Sequence, residues 1–207
     1  MSKDLAPRER ILAAADELFR RHGIRGVGVE AIAESAGTNK MTLYRHFESK
    51  DELIAEWVRV VVAQKDGVWD EMVAKHPNDP VGQIKDWTRR TADALAQMEK
   101  RGSPILNALA ELPERDHPAR KVIDAHRARE HDRLCVLFQQ AGFPEPELSA
   151  DQCFFLLEGA KSCVACVGLE RAGEHLVRLV TSLCGARGRE PATSGAPPLR
   201  KGVQGAR

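Results

Sequence analysis

The stretch TNKMTLYRHFESKDEL, residues 38–53, concentrates side chains that bind phosphates and base edges. Lys, Arg, Thr and Tyr donate hydrogen bonds to phosphate oxygens, and free backbone amides at a helix N-terminus do the same. These groups stand at helical spacing around Leu43 and Phe47, two apolar residues that would face inward. The pattern indicates a helix that binds DNA, although taken alone it is also typical of an ordinary solvated helix face.

The elements before this stretch form a frame for such a helix. Val29, Ile32 and Ala36 lie on one side of a short preceding helix, and Gly37 supplies a tight turn. Two short helices joined by a glycine-containing turn are the signature of a helix-turn-helix, whose second helix enters the major groove. The residues expected near base edges lie at the start of that second helix: Thr38, Asn39, Lys40, Met41 and Thr42.

Contacts to the DNA backbone are expected slightly further along the chain. Tyr44, His46 and Lys50 carry donors that suit phosphate oxygens. Ser49 and Glu52 have the spacing of a capping box, so another helix begins there. Lys50 lies in its first turn, where free amides can also hold a phosphate.

The rest of the 207-residue chain reads as helix almost throughout, without β-type alternation. The first helix is expected from Pro7 to near Gly23. The later helices are expected over residues 49–75, 81–100, 105–112, 119–140, 149–167 and 169–184. With the two short helices this makes about nine, and the fold class is all-α. Residues 186–207 lack periodicity and are expected to be disordered.

Composition places the chain among ordinary globular proteins rather than strongly basic ones. Hydrophobic residues make up 43% and charged residues 29%, and the formal net charge is +1. The charge is +2 over residues 1–50, −5 over 51–185 and +4 over 186–207. The basic N-terminal segment and the acidic middle segment are therefore expected to have different roles. The N-terminus lacks an apolar signal region, and no run is long enough for a membrane span. A cytoplasmic protein without membrane association is expected.

The five cysteines raise a redox or metal question. Cys163 and Cys166 are one helical turn apart, but their neighbours are apolar, which favours inert buried thiols. Zinc would need two further ligands at a recognisable spacing, and none is present. Because the sequence also lacks a catalytic constellation and a phosphate loop, we expect no metal, no cofactor and no enzymatic activity.

The segment RILAAADELFRRHGIRGVGVEAIAESAGTNKMTLYRHFESKDEL, Arg10 to Leu53, resembles the TetR family of bacterial transcription regulators. The motif consists of Ile32-Ala33, Ala36-Gly37, Thr42-Leu43-Tyr44, His46-Phe47 and Lys50. The resemblance implies a three-helix DNA-binding domain over residues 1–48 and a helical ligand-binding and dimerisation domain over 49–185. The basic tail, 186–207, lies outside both.

The resemblance also assigns roles to individual residues. Lys40, Met41 and Thr42 would approach bases, whereas Tyr44, His46 and Lys50 would bind the backbone. Asn39 would cap the helix or contact DNA, and Arg45 holds a variable position that often reads sequence. Two departures stand out: Gly28 replaces a Thr or Ser, which removes a cap and a phosphate contact, and Met41 replaces a small residue, which favours contact with a thymine methyl.

The family resemblance further implies a small effector bound between helices and a homodimer built as a four-helix bundle. The residues expected to line the pocket are Trp57, Trp69, Trp87, Phe138 and Phe154. The residues expected at the dimer interface are Leu156, Gly159, Cys163, Leu169, Ala172, Leu176, Leu179 and Leu183. Those in the last helix step by three and four, as in a bundle seam, although an intramolecular core would give the same pattern. His117, His126 and His131 are expected to be surface or rim residues rather than ligands.

The function expected from these features is a dimeric DNA-binding repressor, released from a palindromic operator by a small-molecule effector. Three alternatives stay open at this point. A regulator of the same fold could sense redox state through Cys163 and Cys166. An all-α enzyme could use the N-terminal helices as a cap, or an adaptor could use the bundle to bind another protein.

Overall fold

The computed structural model describes residues 5–97 and 103–185, apart from the side chains of residues 163–167 and 169. Within these ranges the chain forms nine α-helices and no strand, which confirms the all-α class. The helices are α1 (Pro7–His22), α2 (Val29–Ser35), α3 (Lys40–His46), α4 (Lys50–Lys75), α5 (Pro80–Ala96), α6 (Pro104–Glu111), α7 (Pro118–Gln140), α8 (Pro146–Val167) and α9 (Leu169–Gly185).

The first three helices pack around one apolar centre. α1 begins at Pro7, where the missing N–H of proline costs nothing, and its 3–4 periodicity buries Ile11 and Phe19. Gly23 ends the helix with φ +77°, a backbone conformation that glycine adopts without strain. The chain then turns so that α2 and α3 both pack on α1.

The helix α4 joins the N-terminal helices to the rest of the protein. The Ser49 hydroxyl accepts a hydrogen bond from the Glu52 N–H (3.0 Å), which bears out the predicted cap. Leu53 and Val58, in the first half of α4, lie in the same core as α1 to α3, whereas Trp69 and Met72 lie in a second core with α5, α7, α8 and α9. Because one continuous helix belongs to both cores, a shift of its second half also displaces the first.

The helix α9 packs closely on α5. A Cβ added at Gly173 would lie 3.2 Å from the Ala92 Cβ, so the absent side chain permits this approach. Leu176 and Val180 follow on the same side of α9 and are buried in the second core. The apolar face of α9 is therefore covered largely by helices of its own chain.

The predicted start of α8 differs from the structure, and the predicted end of α5 lies outside the described residues. α8 begins at Pro146 rather than Ser149, because proline starts the first turn and the Ser149 hydroxyl donates back to the Glu145 carbonyl at 2.9 Å. The predicted end of α5 falls within residues 98–102, which lie outside the described ranges, as does the tail, 186–207. Among the described residues, no helix combines the length and apolar character that a bilayer crossing requires.

Candidate nucleic-acid interface and adjoining cavity

The helix α3 buries one face and exposes the other. Leu43 is fully buried and Phe47, which directly follows the helix, is 3% exposed. Met41, Tyr44 and Arg45 are spaced i, i+3 and i+4, so they share a face, and all three are exposed. Met41 is the most accessible, at 78%. The structure thus brings three of the predicted DNA-binding side chains to one solvent-facing surface.

The start of α3 is set by Asn39 and the turn before it. The Asn39 Oδ1 accepts a hydrogen bond from the Thr42 N–H at 2.9 Å, so Asn39 acts as the helix cap. In the turn, Gly37 has φ +63° and the Thr38 N–H donates to the Ala33 carbonyl at 2.9 Å. Of the two roles considered for Asn39, capping is the one that the contacts show.

Lys40 forms an ion pair across the helix-turn-helix. Its Nζ lies 2.6 Å from Glu30 Oε1 in α2, and both side chains are more than half exposed. The hydrogen bond from Lys40 lowers the pKa of the Glu30 carboxyl below its usual value. Glu30 therefore holds Lys40 toward α2 through one of its three donors and competes with DNA for this ammonium.

Lys50 is partly buried and also has a partner within the chain. Its Nζ donates to the Ile24 carbonyl at 2.9 Å, which ties the start of α4 to the loop between α1 and α2. An ammonium group has three donors, so this bond leaves others for a phosphate. His46, also predicted to bind the backbone, is partly buried at the end of α3.

A cavity of about 510 Å³ lies among α1, α4, α5, α6, α7 and α8. This volume falls within the range of about 300–1,000 Å³ that is common for small-molecule pockets. The chain has three tryptophans, and all of them line the cavity: Trp57, Trp69 and Trp87.

The structure places the other two predicted pocket residues elsewhere. Phe138 is fully buried in the second core, where its ring packs edge-on against Phe143 with centroids 4.9 Å apart. Phe154 lies under the guanidinium of Arg127, 5.1 Å from its ring centroid. Neither is among the residues that line the cavity. Sequence spacing marks such side chains as apolar anchors but does not show whether a void lies beside them.

One wall of the cavity carries polar groups that the sequence analysis did not single out. His126, expected at the surface or rim, is only 4% exposed and lines the cavity from α7. Its Nδ1 has no hydrogen-bond partner among the described residues. Burial lowers the pKa of His126 and also that of Lys65, which lines the same wall. Helical spacing carries no signal that would reveal this cluster.

The cavity adjoins the N-terminal helices directly. The Trp57 indole N–H donates to Asp16 Oδ1 in α1 at 2.7 Å, and the Trp57 ring packs edge-on against Phe19 at 5.2 Å. Glu111, at the end of α6, lines the cavity and accepts a hydrogen bond from the Arg25 N–H at 2.8 Å. Two side chains on the cavity wall thus hold the part of the chain that carries α2 and α3.

The predicted dimer residues divide between core and surface. Ala172 and Leu176 are 4% and 1% exposed, since they are buried inside their own chain. The prediction that these two residues lie at the dimer interface is therefore wrong. The reason is that α5 covers this face of α9. Leu156 and Leu183 are partly buried against the same core. Gly159 and Leu179 are exposed. The side chains of Cys163 and Leu169 lie outside the described residues.

The helix α8 exposes an apolar side chain, Phe155, that was not predicted to belong to the dimer interface. Phe155 is 70% exposed, and Gly159 and Ser162 follow it at spacings of four and three. A Cβ added at Gly159 would meet nothing within 4 Å. Phe155 thus projects a large apolar side chain beside an open surface of small residues.

The described thiols all have raised pKa values, including that of Cys135, whose Sγ lies 3.6 Å from His131 Nδ1. Burial raises the pKa of Cys153 to about 12, and burial also raises the pKa values of Cys184 and Cys135. The side chains of Cys163 and Cys166, on which the redox alternative rests, are outside the described residues. In the part of the chain that the structure describes, no group of three or more His, Cys, Asp or Glu side chains is placed to hold a metal ion.

The helices α1 to α3 form a three-helix unit in which a tight turn joins α2 to the exposed α3. This arrangement is that of helix-turn-helix proteins. The model of the family described as "Bacterial regulatory proteins, tetR family" matches residues 11–57. RaaS of Mycobacterium tuberculosis, an HTH-type transcriptional regulatory protein, is 45% identical over 65 residues, which are 28% of this chain and 30% of that protein. The repressor KstR2 of Rhodococcus jostii is 36% identical over 67 residues, 32% of this chain and 33% of that protein.

The likeness extends to the whole fold in solved structures. SCO4454, a TetR-family transcriptional regulator from Streptomyces coelicolor, superposes with a TM-score of 0.82 and 27% identity, covering 87% of this chain and 95% of that one. The two curated matches span only about a third of their proteins' lengths. Residues 11–57 thus match the TetR family of bacterial regulatory proteins, and the whole chain is similar in fold to a solved TetR-family regulator.

Proposed function

We propose that this protein is a DNA-binding repressor, which binds a palindromic operator as a homodimer and is released by a small-molecule effector. The observation that carries the proposal is the exposed face of α3 together with a cavity whose wall contacts the same three-helix domain. The name of the relative KstR2 as a repressor supports the direction of regulation.

The proposed base contacts come from Lys40, Met41 and Thr42, with Arg45 on the adjoining exposed face. The N-terminal residues of the second helix are the ones that reach base edges in this motif. Met41 offers an apolar surface for a thymine methyl, and Lys40 can donate to guanine acceptors once it leaves Glu30. Thr38 and Asn39 contribute to the position of the helix.

The proposed phosphate contacts come from Tyr44, His46 and Lys50. Tyr44 is 42% exposed and projects a hydroxyl beside the reading face. Lys50 lies in the first turn of α4, whose free amides favour an anion. Contacts of this kind fix the register of the protein on the duplex without reading its sequence.

Two copies of the chain would pair through the exposed face of α8 and α9. Phe155, Gly159 and Leu179 are the proposed contacts, with Cys163 and Leu169 nearby in the chain, and Phe155 is the largest apolar side chain left exposed. A two-fold axis between the copies presents two α3 helices to the DNA, and the operator must then repeat its half-site with opposite orientation.

Release by an effector follows from the contacts that cross between the cavity and the N-terminal helices. A ligand that displaces Trp57 or Glu111 changes the position of α1 or of the loop at Arg25. The two α3 helices then no longer match the operator spacing, and DNA affinity falls. A coupling of about 1–3 kcal/mol changes the affinity roughly 5- to 150-fold.

The test is fluorescence anisotropy of the protein on DNA upstream of its own gene, against a scrambled duplex, at several salt concentrations. We expect tight binding to one site, with an affinity that falls linearly in a log–log plot against salt. Two protomers per duplex, and loss of binding when one half-site is scrambled, would support the palindromic arrangement. Equal affinity for every duplex in a genome-wide fragment selection would contradict the proposal.

A further inference from the structure

The apolar side of the cavity is built from aromatic rings. Trp57, Trp69 and Trp87 are 4%, 8% and 6% exposed, so each is held firmly by its surroundings. Trp69 and Trp87 pack edge to face, with ring centroids 6.4 Å apart. Rigid aromatic walls offer offset and edge contacts to another planar ring. An occupant with a flat apolar body fits this side of the cavity.

The polar side carries one cation that lacks a partner. Lys65 has no hydrogen bond and no ion pair with any described residue, and it is partly buried on the cavity wall. The other cations of the wall are paired, Arg20 with Asp16, Arg90 with Asp86, Arg133 with Asp66, and Lys161 with Glu158. A partly desolvated ammonium that no described carboxylate contacts directly is costly, and an anionic ligand would relieve that cost.

The charges around Lys65 leave room for an anion. Glu158, a paired carboxylate whose charge acts on Lys65, is held by Lys161 at 2.8 Å and by Arg127 at 2.7 Å. Glu130 also acts on Lys65, whereas Lys161 adds a like charge. Beside them, the imidazole of His126 has an Nδ1 without a partner among the described residues. The cavity lining thus combines an ammonium without a hydrogen bond to any described residue and a buried imidazole whose Nδ1 is unsatisfied among the described residues, which a small movement of the ring would present to an incoming group.

We propose that the cavity binds an organic anion with a planar aromatic body, its acidic group at Lys65 and His126 and its rings against the tryptophans. This inference rests on the proposed function in that the cavity is the effector site, and it adds the chemical class of the effector. The carboxylate of Glu130 selects against a second negative charge on the same end of the ligand, so a monoanion fits best.

The test uses two probes with the same aromatic frame. Anilinonaphthalene sulfonate is an anion, and N-phenylnaphthylamine is its neutral counterpart. Both accept energy from excited tryptophan, and all three tryptophans of the chain line the cavity, so energy transfer detects binding and the Lys65 variants below assign it to this site. We expect the full-length protein to bind the anion on the order of tenfold more tightly than the neutral probe.

The variants separate charge from shape. Lys65→Met should remove the preference for the anion and leave the affinity for the neutral probe within about twofold, which also shows that the cavity is intact. Lys65→Arg should retain most of the preference. Lys121→Met, at an exposed lysine of α7 that does not line this cavity, is the matched control and should change neither affinity.

Two outcomes would overturn the proposal. One is equal or tighter binding of the neutral probe by the unmodified protein, and the other is an unchanged preference in Lys65→Met. Since the titration contains no DNA, either result leaves the operator measurement standing. Conversely, a failure to bind DNA would not alter the affinities of the two probes.

Discussion

The indole N–H of Trp57 donates to Asp16 Oδ1 across 2.7 Å, and the same oxygen accepts from Arg20 Nε at 2.7 Å. Trp57 lines the cavity from α4, whereas Asp16 and Arg20 belong to α1. A single carboxylate thus connects the cavity wall to the helix on which α2 and α3 pack. A movement of the Trp57 ring therefore changes its hydrogen bond to Asp16.

Replacing Asp16 should show how much this connection contributes to the free energy of unfolding. Asp16→Ala leaves the Trp57 N–H without its acceptor, and the free energy of unfolding should fall by about 1–3 kcal/mol. Glu17→Ala is the control, because Glu17 pairs only with Arg21 on the exposed side of α1, and its loss should cost at most about 0.5 kcal/mol. Urea unfolding measures both. Equal losses would show that the Trp57 bond adds nothing.

Neutralising Glu30 should strengthen operator binding. In Glu30→Gln, Lys40 is freed from its ion pair and a negative charge near the DNA is removed, so affinity should rise roughly two- to fivefold. Glu34→Gln, also exposed on α2 and without an ion pair among the described residues, is the matched control. In a Lys40→Ala background the gain from Glu30→Gln should shrink, and anisotropy at one fixed salt concentration gives all four affinities. A full gain without Lys40 would rule out competition between Glu30 and DNA.

Tyr44 and Met41 should differ in the kind of loss that they cause. Tyr44→Phe removes a hydroxyl expected at a phosphate, so binding to operator and to scrambled DNA should weaken alike, roughly three- to tenfold. Met41→Ala removes a contact expected at a base, so it should weaken operator binding selectively. The measurement is the ratio of the two affinities for each variant. A sequence-selective loss in Tyr44→Phe would contradict the phosphate role.

The dimer proposal makes Phe155 the position to change. Phe155→Asp introduces a charge at the centre of the proposed interface, and sedimentation should show monomers at concentrations where the unmodified protein is dimeric. Val136→Asp, at an apolar residue of α7 that is 49% exposed, should leave the dimer intact. A dimer that survives Phe155→Asp would place the interface on another surface.

The stability of the protein should depend on pH through His126. Burial lowers the pKa of His126 in the folded chain below its ordinary value of 6.5, although Glu130 and Asp66 oppose the shift and Lys65 and Arg129 add to it. The unfolded chain therefore binds the proton first as pH falls. The stability contributed by the neutral imidazole is complete above about pH 6.5 and is lost as the pH falls from there through the folded-state pKa.

The measurement is the free energy of unfolding as a function of pH between neutral and mildly acidic conditions. His126→Gln should flatten the decline in this window, since glutamine does not titrate. His175→Gln, at an exposed residue of α9, should leave the slope as it is in the unmodified protein. If both variants showed the original slope, another group would account for the pH dependence.

Much of the local structure could be predicted from sequence because its causes are local. Pro7, Gly23, Asn39 and Ser49 set helix ends through contacts within a few residues, and the structure shows each of them at a helix end. The exposed face of α3 follows from the spacing of Leu43 and its neighbours. Ser149 was predicted to start α8 but lies inside its first turn. A serine hydroxyl can also bond back to a carbonyl one turn earlier, as Ser149 does to Glu145.

Helical periodicity and capping are short-range properties, so the sequence alone was enough to predict the resemblance to the TetR family, about nine helical segments and the residues of the candidate DNA-reading surface. The packing of distant segments sets which apolar residues border a void, which face of α9 is covered by α5, and that Lys65 and His126 line the same cavity. Those relationships join residues far apart in the chain. A periodic pattern states that a side chain is buried, but it does not state what buries it.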